Sequence, residues 1–293
     1  MKIYMINPRG FCSGVKRALS VVEKAINSEK TPIYVLHEIV HNTYVIDGFK
    51  KQGVVFCESL DEIPDNSTVI FSAHGVSSFI WEEAKKKNLK ILDATCPLVK
   101  KLHDEVKFYL KKDYIVFILG KKNHQEIIEV KNENPSKIFL VESQKDIDDL
   151  PLSTGKTIYF TQTTLPLYEI DNLASLLQKK YPQMEKPKIA ACYATINRQQ
   201  ALIDILPKVE AVLVIGDEKS ANSKRLKEIA EKMKKKSHLL LHPQSLEKKD
   251  FEKVTSIAIT AGASTPEVLV QNILQKLQGF FPIEVENIPS DKA

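Results

Sequence analysis

Cysteine is scarce in this chain, and its four copies, Cys12, Cys57, Cys96 and Cys192, stand far apart along 293 residues. Four scattered thiols do not make a disulfide scaffold, and they indicate a reducing intracellular setting. No CxxC pair occurs, which argues against a thioredoxin-type redox motif and a compact zinc ribbon. No apolar run reaches the roughly 20 residues of a membrane span, and the N-terminus lacks the basic, apolar and small-residue order of a signal peptide. The chain therefore reads as cytoplasmic, with no membrane partner. No GxGxxG follows an apolar run and no GxxxxGK[ST] is present, so neither a dinucleotide nor a Walker-type site is supported. Any electrons the chain uses would come from a protein donor. The charge balance is only +5, and much of the excess falls in solvated clusters such as Lys85–Lys87 and Lys234–Lys236. A nucleic-acid surface needs a concentrated basic stripe with stacking aromatics, and neither is evident.

What the chain does have is a repeated pattern. Short runs rich in Val and Ile each end in a polar loop that opens a helical stretch: IYVL (33–36), VIFSA (69–73), KILDA (90–94), YIVFILG (114–120), TIYFT (157–161), KIAA (188–191), AVLVIG (211–216) and SIAIT (256–260). Runs of this length, apolar on both faces, read as buried parallel strands. SKRLKEIAEKMKKK and PEVLVQNILQKL carry apolar residues at helical spacing. The fold class is α/β. Cys12, Cys96 and Cys192 each stand at the start of such a helix, at near-equal intervals. That spacing suggests three similar α/β units, divided as 1–95, 96–191 and 192–293, with the Pro-bearing YPQMEKPK near the last boundary. In parallel α/β sheets ligands bind beyond the carboxyl ends of the strands, where all these loops lie.

The stretch NPRGFCSGVKRAL sets Cys12 between Gly10 and Gly14 at a helix start, a setting that allows tight backbone geometry and favours an anion or thiolate. Any one of the three cysteines alone reads as a buried packing thiol. Three at equivalent helix starts read as a shared metal site, with zinc and iron–sulfur both open. Three thiolates with His124 would close a structural zinc site. Cys57, in VVFCESL, reads as a packing thiol. His41, His74 and His124 occupy strand-end loops, whereas His37, His103, His238 and His242 have no such context. Thr163, Thr164, Ser220, Asn222, Ser264 and Thr265 are small polar groups at strand ends; singly they read as helix caps, and together as a phosphate cradle. Glu126, two residues after His124, is the carboxylate that reads as a proton donor, or else as a first-turn helix acid.

PRGFCSGV, EIVHN, SAHGVS, DATCPLV, QTTL, CYATINRQ and TAGAS occur in this order from Pro8 to Ser264, and together they resemble the 4-hydroxy-3-methylbut-2-enyl diphosphate reductase family. The resemblance implies three α/β units around a central [4Fe–4S] cluster held by Cys12, Cys96 and Cys192. It implies that the fourth iron binds the allylic hydroxyl of the substrate. It further implies that His41, His74, His124, Ser220, Asn222 and Ser264 bind the diphosphate, that Glu126 supplies a proton, and that Thr163 positions the hydroxyl. The products would be isopentenyl and dimethylallyl diphosphate, with a ferredoxin or flavodoxin as electron donor. Four positions depart from the family pattern: Ala221 where a serine is usual, Asp217 in a normally uncharged stretch, Gln125 in place of proline, and His37 in place of arginine. A zinc-stabilised binding protein and an iron–sulfur redox sensor are the rival readings.

Overall fold

Runs of Val and Ile are stable as strands where both faces are covered, as they are in a parallel sheet between helices. The computed structural model, which describes residues 1–152, 155–187 and 191–289, has this layering throughout. In chain order its elements are β1 (Lys2–Ile6), α1 (Ser13–Ser28), β2 (Ile33–Leu36), α2 (Thr43–Lys50), β3 (Val54–Cys57), β4 (Thr68–Phe71), α3 (Ser78–Lys86), β5 (Lys90–Asp93), α4 (Pro97–Lys111), β6 (Ile115–Leu119), α5 (Gln125–Lys131) and β7 (Ile138–Val141). They continue as α6 (Gln144–Asp148), β8 (Thr157–Thr161), α7 (Leu167–Lys180), α8 (Tyr193–Ile205), β9 (Ala211–Ile215), α9 (Ala221–Lys232), β10 (Lys236–Leu240), β11 (Ser256–Ala261), α10 (Glu267–Phe280) and β12 (Glu284–Ile288).

The strands form three sheets, ordered β10-β9-β11-β1-β12, β3-β2-β4-β5 and β7-β6-β8. Every pairing is parallel. Seven of the eight apolar runs marked in the sequence are strands. The eighth, KIAA, lies outside the described residues except for Ala191. The pattern did not mark β1, β3, β7, β10 or β12. Four of these are edge strands, which need covering less; β12 is exposed along most of its length. In β1 the buried Ile3, Met5 and Ile6 are interrupted by the half-buried Lys2 and Tyr4, so the strand opens on a period of two rather than on a continuous buried run.

By residue contacts the chain divides into two compact units, one of Met1–Val15, His41–Asp47 and Tyr193–Ala293, the other of Lys16–Val40 and Gly48–Cys192. The first unit holds the five-stranded sheet, in which the N-terminal strand β1 lies between β11 and β12. Alternation along β9 serves two cores. Leu213 and Ile215 pack with Leu269, Val270, Ile273 and Leu277 of α10, while Val212 and Val214 pack with Leu202 of α8 and Leu226 and Ile229 of α9. The second unit holds the other two sheets. Phe117 and Leu119 of β6 meet Ile170, Leu173 and Leu177 of α7, while Val116 and Ile118 meet Leu102 and Val106 of α4 and Ile127 and Val130 of α5. The buried positions of α4, Val99, Leu102, His103 and Val106, follow the spacing of a single helix face.

Leu213 is fully buried in a central strand, whereas Val285 of the edge strand β12 is 39% exposed. Leu213→Ala should cost about 2–5 kcal/mol in denaturant unfolding, and Val285→Ala no more than about 0.5 kcal/mol.

Candidate active site

The three helix-start cysteines share one main-chain environment. Cys12 N–H donates to Ala263 O at 3.0 Å, Cys96 N–H to Ala73 O at 3.0 Å, and Cys192 N–H to Thr163 O at 3.1 Å. Each acceptor is the second residue beyond the end of a strand: β11 for Ala263, β4 for Ala73 and β8 for Thr163. Each cysteine directly precedes a helix, α1, α4 or α8. Cys96 is the N-cap of α4, with Pro97 in its first turn, as the sequence reading anticipates. All three thiols are half-buried, while Cys57 is buried, where burial raises its pKa above the usual thiol value and the nearby Glu62 and Glu58 carboxylates add to the shift. Cys12 Sγ accepts Val15 N–H at 3.4 Å, so a helix N-terminal donor faces the sulfur. Gly10 has the left-handed φ of +70° expected of it. Gly14 instead lies in the first turn of α1, where helical geometry requires no special freedom.

In the first unit, the loop bearing His41 is fixed at both ends of a three-residue stretch. Ser264 Oγ donates to His41 O at 3.0 Å. Thr43 gives Asp217 Oδ2 two hydrogen bonds, from its N–H at 2.7 Å and its Oγ1 at 2.6 Å. Lys219 N–H donates to Asp217 Oδ1 at 2.9 Å. The unexpected Asp217 thus caps the start of α2. Burial raises its pKa, but the bonds from Thr43 and Lys219 outweigh burial and hold it below the usual carboxylate value. Ser220 Oγ accepts Ser223 N–H at 3.3 Å as the N-cap of α9. Asn222 is 4% exposed, and neither of its side-chain polar atoms has a hydrogen-bond partner within the protein.

In the second unit, a continuous set of contacts links six of the expected residues. Cys96 is bonded to Ala73, the residue before His74. The His74 and His124 rings meet edge-on with centroids 5.9 Å apart. His124 Nδ1 accepts Glu126 N–H at 3.3 Å, which makes His124 the N-cap of α5. Glu126, 2% exposed, accepts Thr163 N–H at 2.8 Å on Oε1 and Thr163 Oγ1–H at 2.7 Å on Oε2. Thr163 O in turn receives Cys192 N–H. The tight loop after His74 depends on Gly75, which has a φ of +73° and where a Cβ would lie only 3.2 Å from His103, Thr95 and Val99.

Sequence reading missed residues that act through backbone groups. Arg198, buried in α8, donates to Gly10 O at 2.6 Å and supports the turn before Cys12. His103 and His37, given no special role, pair with buried glutamates, Glu133 at 2.8 Å and Glu129 at 3.7 Å. The one available signal was that His103 falls on the apolar face of α4. Among the described residues, no group of three or more His, Cys, Asp or Glu side chains is gathered tightly enough to hold a metal ion, and no helix is long and apolar enough to cross a membrane.

Polar side chains collected at the carboxyl ends of parallel strands, between helix N-termini, define an α/β enzyme. More particularly, the chain belongs to the LytB protein family, whose model matches residues 3–278. It is 46% identical over 283 residues to the 4-hydroxy-3-methylbut-2-enyl diphosphate reductase of Chlamydia trachomatis serovar L2b, a match covering 96% of this chain and 92% of that one. It is 45% identical over 293 residues to the reductase of the same name from Actinobacillus pleuropneumoniae serotype 3, covering 98% and 93%. Among solved structures it resembles the E-1-hydroxy-2-methyl-but-2-enyl-4-diphosphate reductase of Plasmodium falciparum, with TM-score 0.93 and 38% identity over 99% of this chain and 94% of that one. It also resembles an (E)-4-hydroxy-3-methyl-but-2-enyl diphosphate reductase described as the terminal enzyme of the non-mevalonate pathway, with TM-score 0.69 and 29% identity over 95% and 99%. The chain is accordingly an oxidoreductase.

Asp217 has a lowered pKa in the folded state, so its stabilisation is present above the unfolded value of about 3.9 and is lost as pH falls through the folded value. Asp217→Ala should lower stability by about 1–3 kcal/mol at pH 7, with the gap from wild type closing below about pH 4. Urea unfolding at pH 7, 5 and 3.5 checks this; a gap that stays constant across the series would refute it.

Proposed function

We propose that the chain reduces 4-hydroxy-3-methylbut-2-enyl diphosphate with a [4Fe–4S] cluster ligated by Cys12, Cys96 and Cys192. Two electrons and two protons enter, water leaves, and isopentenyl and dimethylallyl diphosphate are formed. The observation that carries this reading is the repeated bond from each cysteine N–H to a loop carbonyl just beyond a strand end. Three half-buried thiols in one repeated setting at helix starts suit a thiolate-ligated cluster, and three cysteines on a four-iron cube leave one iron without a protein ligand. When bound, the cluster supplies electrons and a Lewis-acidic iron for the departing hydroxyl. Counted from the cysteines, the proposed divisions of the repeat fall near residues 95 and 191. The electron donor is a small protein of the ferredoxin or flavodoxin class.

The remaining roles fall to this chain's own side chains. Hydroxide is a poor leaving group, so its departure requires a proton. Glu126 is buried and bonded to Thr163 Oγ1 at 2.7 Å. The hydroxyl donates in that bond as it stands; in delivery a protonated Glu126 donates to Thr163 Oγ1 while the threonine proton passes to the substrate oxygen, which Thr163 also orients. His124 caps the helix that carries Glu126 and contributes to both proton supply and anion binding. The diphosphate ligands in this reading are His41, Ser220, Asn222 and Ser264 with His74 and His124. Asn222 fits that role, because a buried amide without protein partners is satisfied by an incoming phosphate oxygen. With the Asp217 carboxylate occupied by Thr43 and Lys219, its charge is drawn toward α2.

Anaerobically purified protein should be brown, with iron and acid-labile sulfide near four per chain, and should turn over the diphosphate with dithionite. A colourless protein holding one tight zinc and inactive on the diphosphate would overturn the proposal. Glu126→Gln should keep its iron and lose about 10²–10⁴-fold in kcat, measured by product formation per iron-loaded enzyme. Full activity in that variant would remove Glu126 from proton delivery.

A further inference from the structure

Glu126 is one of three buried carboxylates on neighbouring positions of the same segment. Glu129 lies one turn further along α5, and Glu133 just beyond the helix end, spaced to project toward the same side. The side chains of Glu129 and Glu133 are 5% and 2% exposed. Their carboxylates reach the start of α3, the helix that follows the His74 loop. Ser77 N–H donates to Glu129 Oε2 at 2.9 Å, and Ser78 N–H donates to Glu133 Oε2 at 3.3 Å. Ser77, the N-cap of α3, makes no capping bond with its own side chain. The Ser77 and Ser78 amides at the start of α3 are therefore satisfied from α5 and from the residue just beyond its end, with two negative charges at the positive end of the helix.

The second oxygens are also engaged. Glu129 Oε1 receives Gln125 Nε2–H at 2.9 Å and faces His37 Nε2 at 3.7 Å. Glu133 Oε1 pairs with His103 Nδ1 at 2.8 Å. His37, with a left-handed φ of 61°, holds its other ring nitrogen 3.2 Å from Glu58. A buried carboxylate is costly unless so compensated. Burial raises the pKa of Glu129, yet the pairing with His37 and the Ser77 N–H prevail and keep it below the ordinary value.

We propose that Glu129 and Glu133 are positioning residues for the reaction, clamping α5 to the start of α3 so that Glu126 and His124 are held in register with His74. This rests on the assignment of Glu126 to proton delivery. Neither residue touches substrate. They act by fixing the helix that carries the acid against the loop that carries the imidazole, across the 5.9 Å separation of the two histidine rings. Glu129 also explains what Gln125 does in this chain: its amide completes the acceptor shell of the clamp instead of only filling a first-turn position.

The test compares wild type, Glu129→Ala, Glu129→Gln and Glu126→Gln, each as the iron-loaded enzyme, with hydrogen exchange across residues 74–80 read alongside steady-state kinetics. In Glu129→Ala the Ser77 and Ser78 amides should exchange at least tenfold faster, and kcat should fall 10–100-fold with KM within threefold. Glu129→Gln, whose amide oxygen still accepts the Ser77 N–H, should restore both to within about threefold. Unchanged exchange in Glu129→Ala would overturn the clamp whatever the activity, and faster exchange with unchanged kcat would overturn its part in the reaction. A fully active Glu126→Gln would instead overturn the proton-donor reading, a result separate from the exchange measurement.

Discussion

A backbone hydrogen bond, made three times over, fixes where three helices of this chain begin, each time at a cysteine. In each case the amide of a cysteine at a helix start is bonded to a carbonyl two residues past a strand end. One such bond contributes only about 0.5–1.5 kcal/mol net. Its effect on geometry is larger than its energy, because the first amides of a helix have no partners inside the helix. If the loop carbonyl is not in place, a half-buried amide goes unsatisfied and the helix start loses its fixed position. The thiol follows its own backbone, so its placement is inherited from the sheet rather than from the side chain's packing.

The same logic governs the buried carboxylates. Asp217, Glu126, Glu129 and Glu133 each accept a backbone N–H from a segment distant in sequence: Thr43, Thr163, Ser77 and Ser78 respectively. Charge-assisted bonds to backbone amides are among the stronger ones, and they offset the desolvation of the charge. Each of these pairs ties down a short loop that carries a candidate ligand: His41 before Thr43, His74 before Ser77, and Thr163 itself. Side-chain charge here takes over the capping that local serines and threonines usually perform. That is why Ser77 is left without a capping bond of its own.

Much of this was legible in the residues, and the limits have physical causes. Interior strands such as β4, β6 and β9 announce themselves because both of their faces must be apolar. The edge strand β12, with exposed Glu284 and Glu286, carries no such requirement and is indistinguishable from loop, whereas the edge strands β5 and β8 still carry apolar runs. The helix-start positions of Cys12, Cys96 and Cys192 followed from the alternation of runs and loops. The pairing of His124, Glu126 and Thr163 depended on the family resemblance, since nothing in spacing alone brings residue 126 to residue 163. The partners of Asp217, Glu129 and Glu133 were invisible, because a charged residue in a helical or loop pattern looks the same whether it faces water or a distant amide. His37 stood out only as a replacement for an arginine, and only the fold places it between Glu58 and Glu129.

Close backbone approach completes the arrangement at the start of α9. A Cβ at Gly216, after β9, or at Gly262, after β11, would collide with Ser223 Oγ. These two glycines let the first turn of α9 settle directly onto the strand ends. Ser223 has no exposed surface and its hydroxyl has no hydrogen-bond partner, so it serves there as a small wedge. The position of Asn222 is then set by the backbone on either side of it and not by bonds of its own amide. In the proposed diphosphate role, an incoming anion would meet a donor already held in place and break no internal hydrogen bond to use it. Little ordering cost remains to be met on binding. The unsatisfied amide is a cost carried by the folded protein, and in the proposed role the same feature would make the loop receptive.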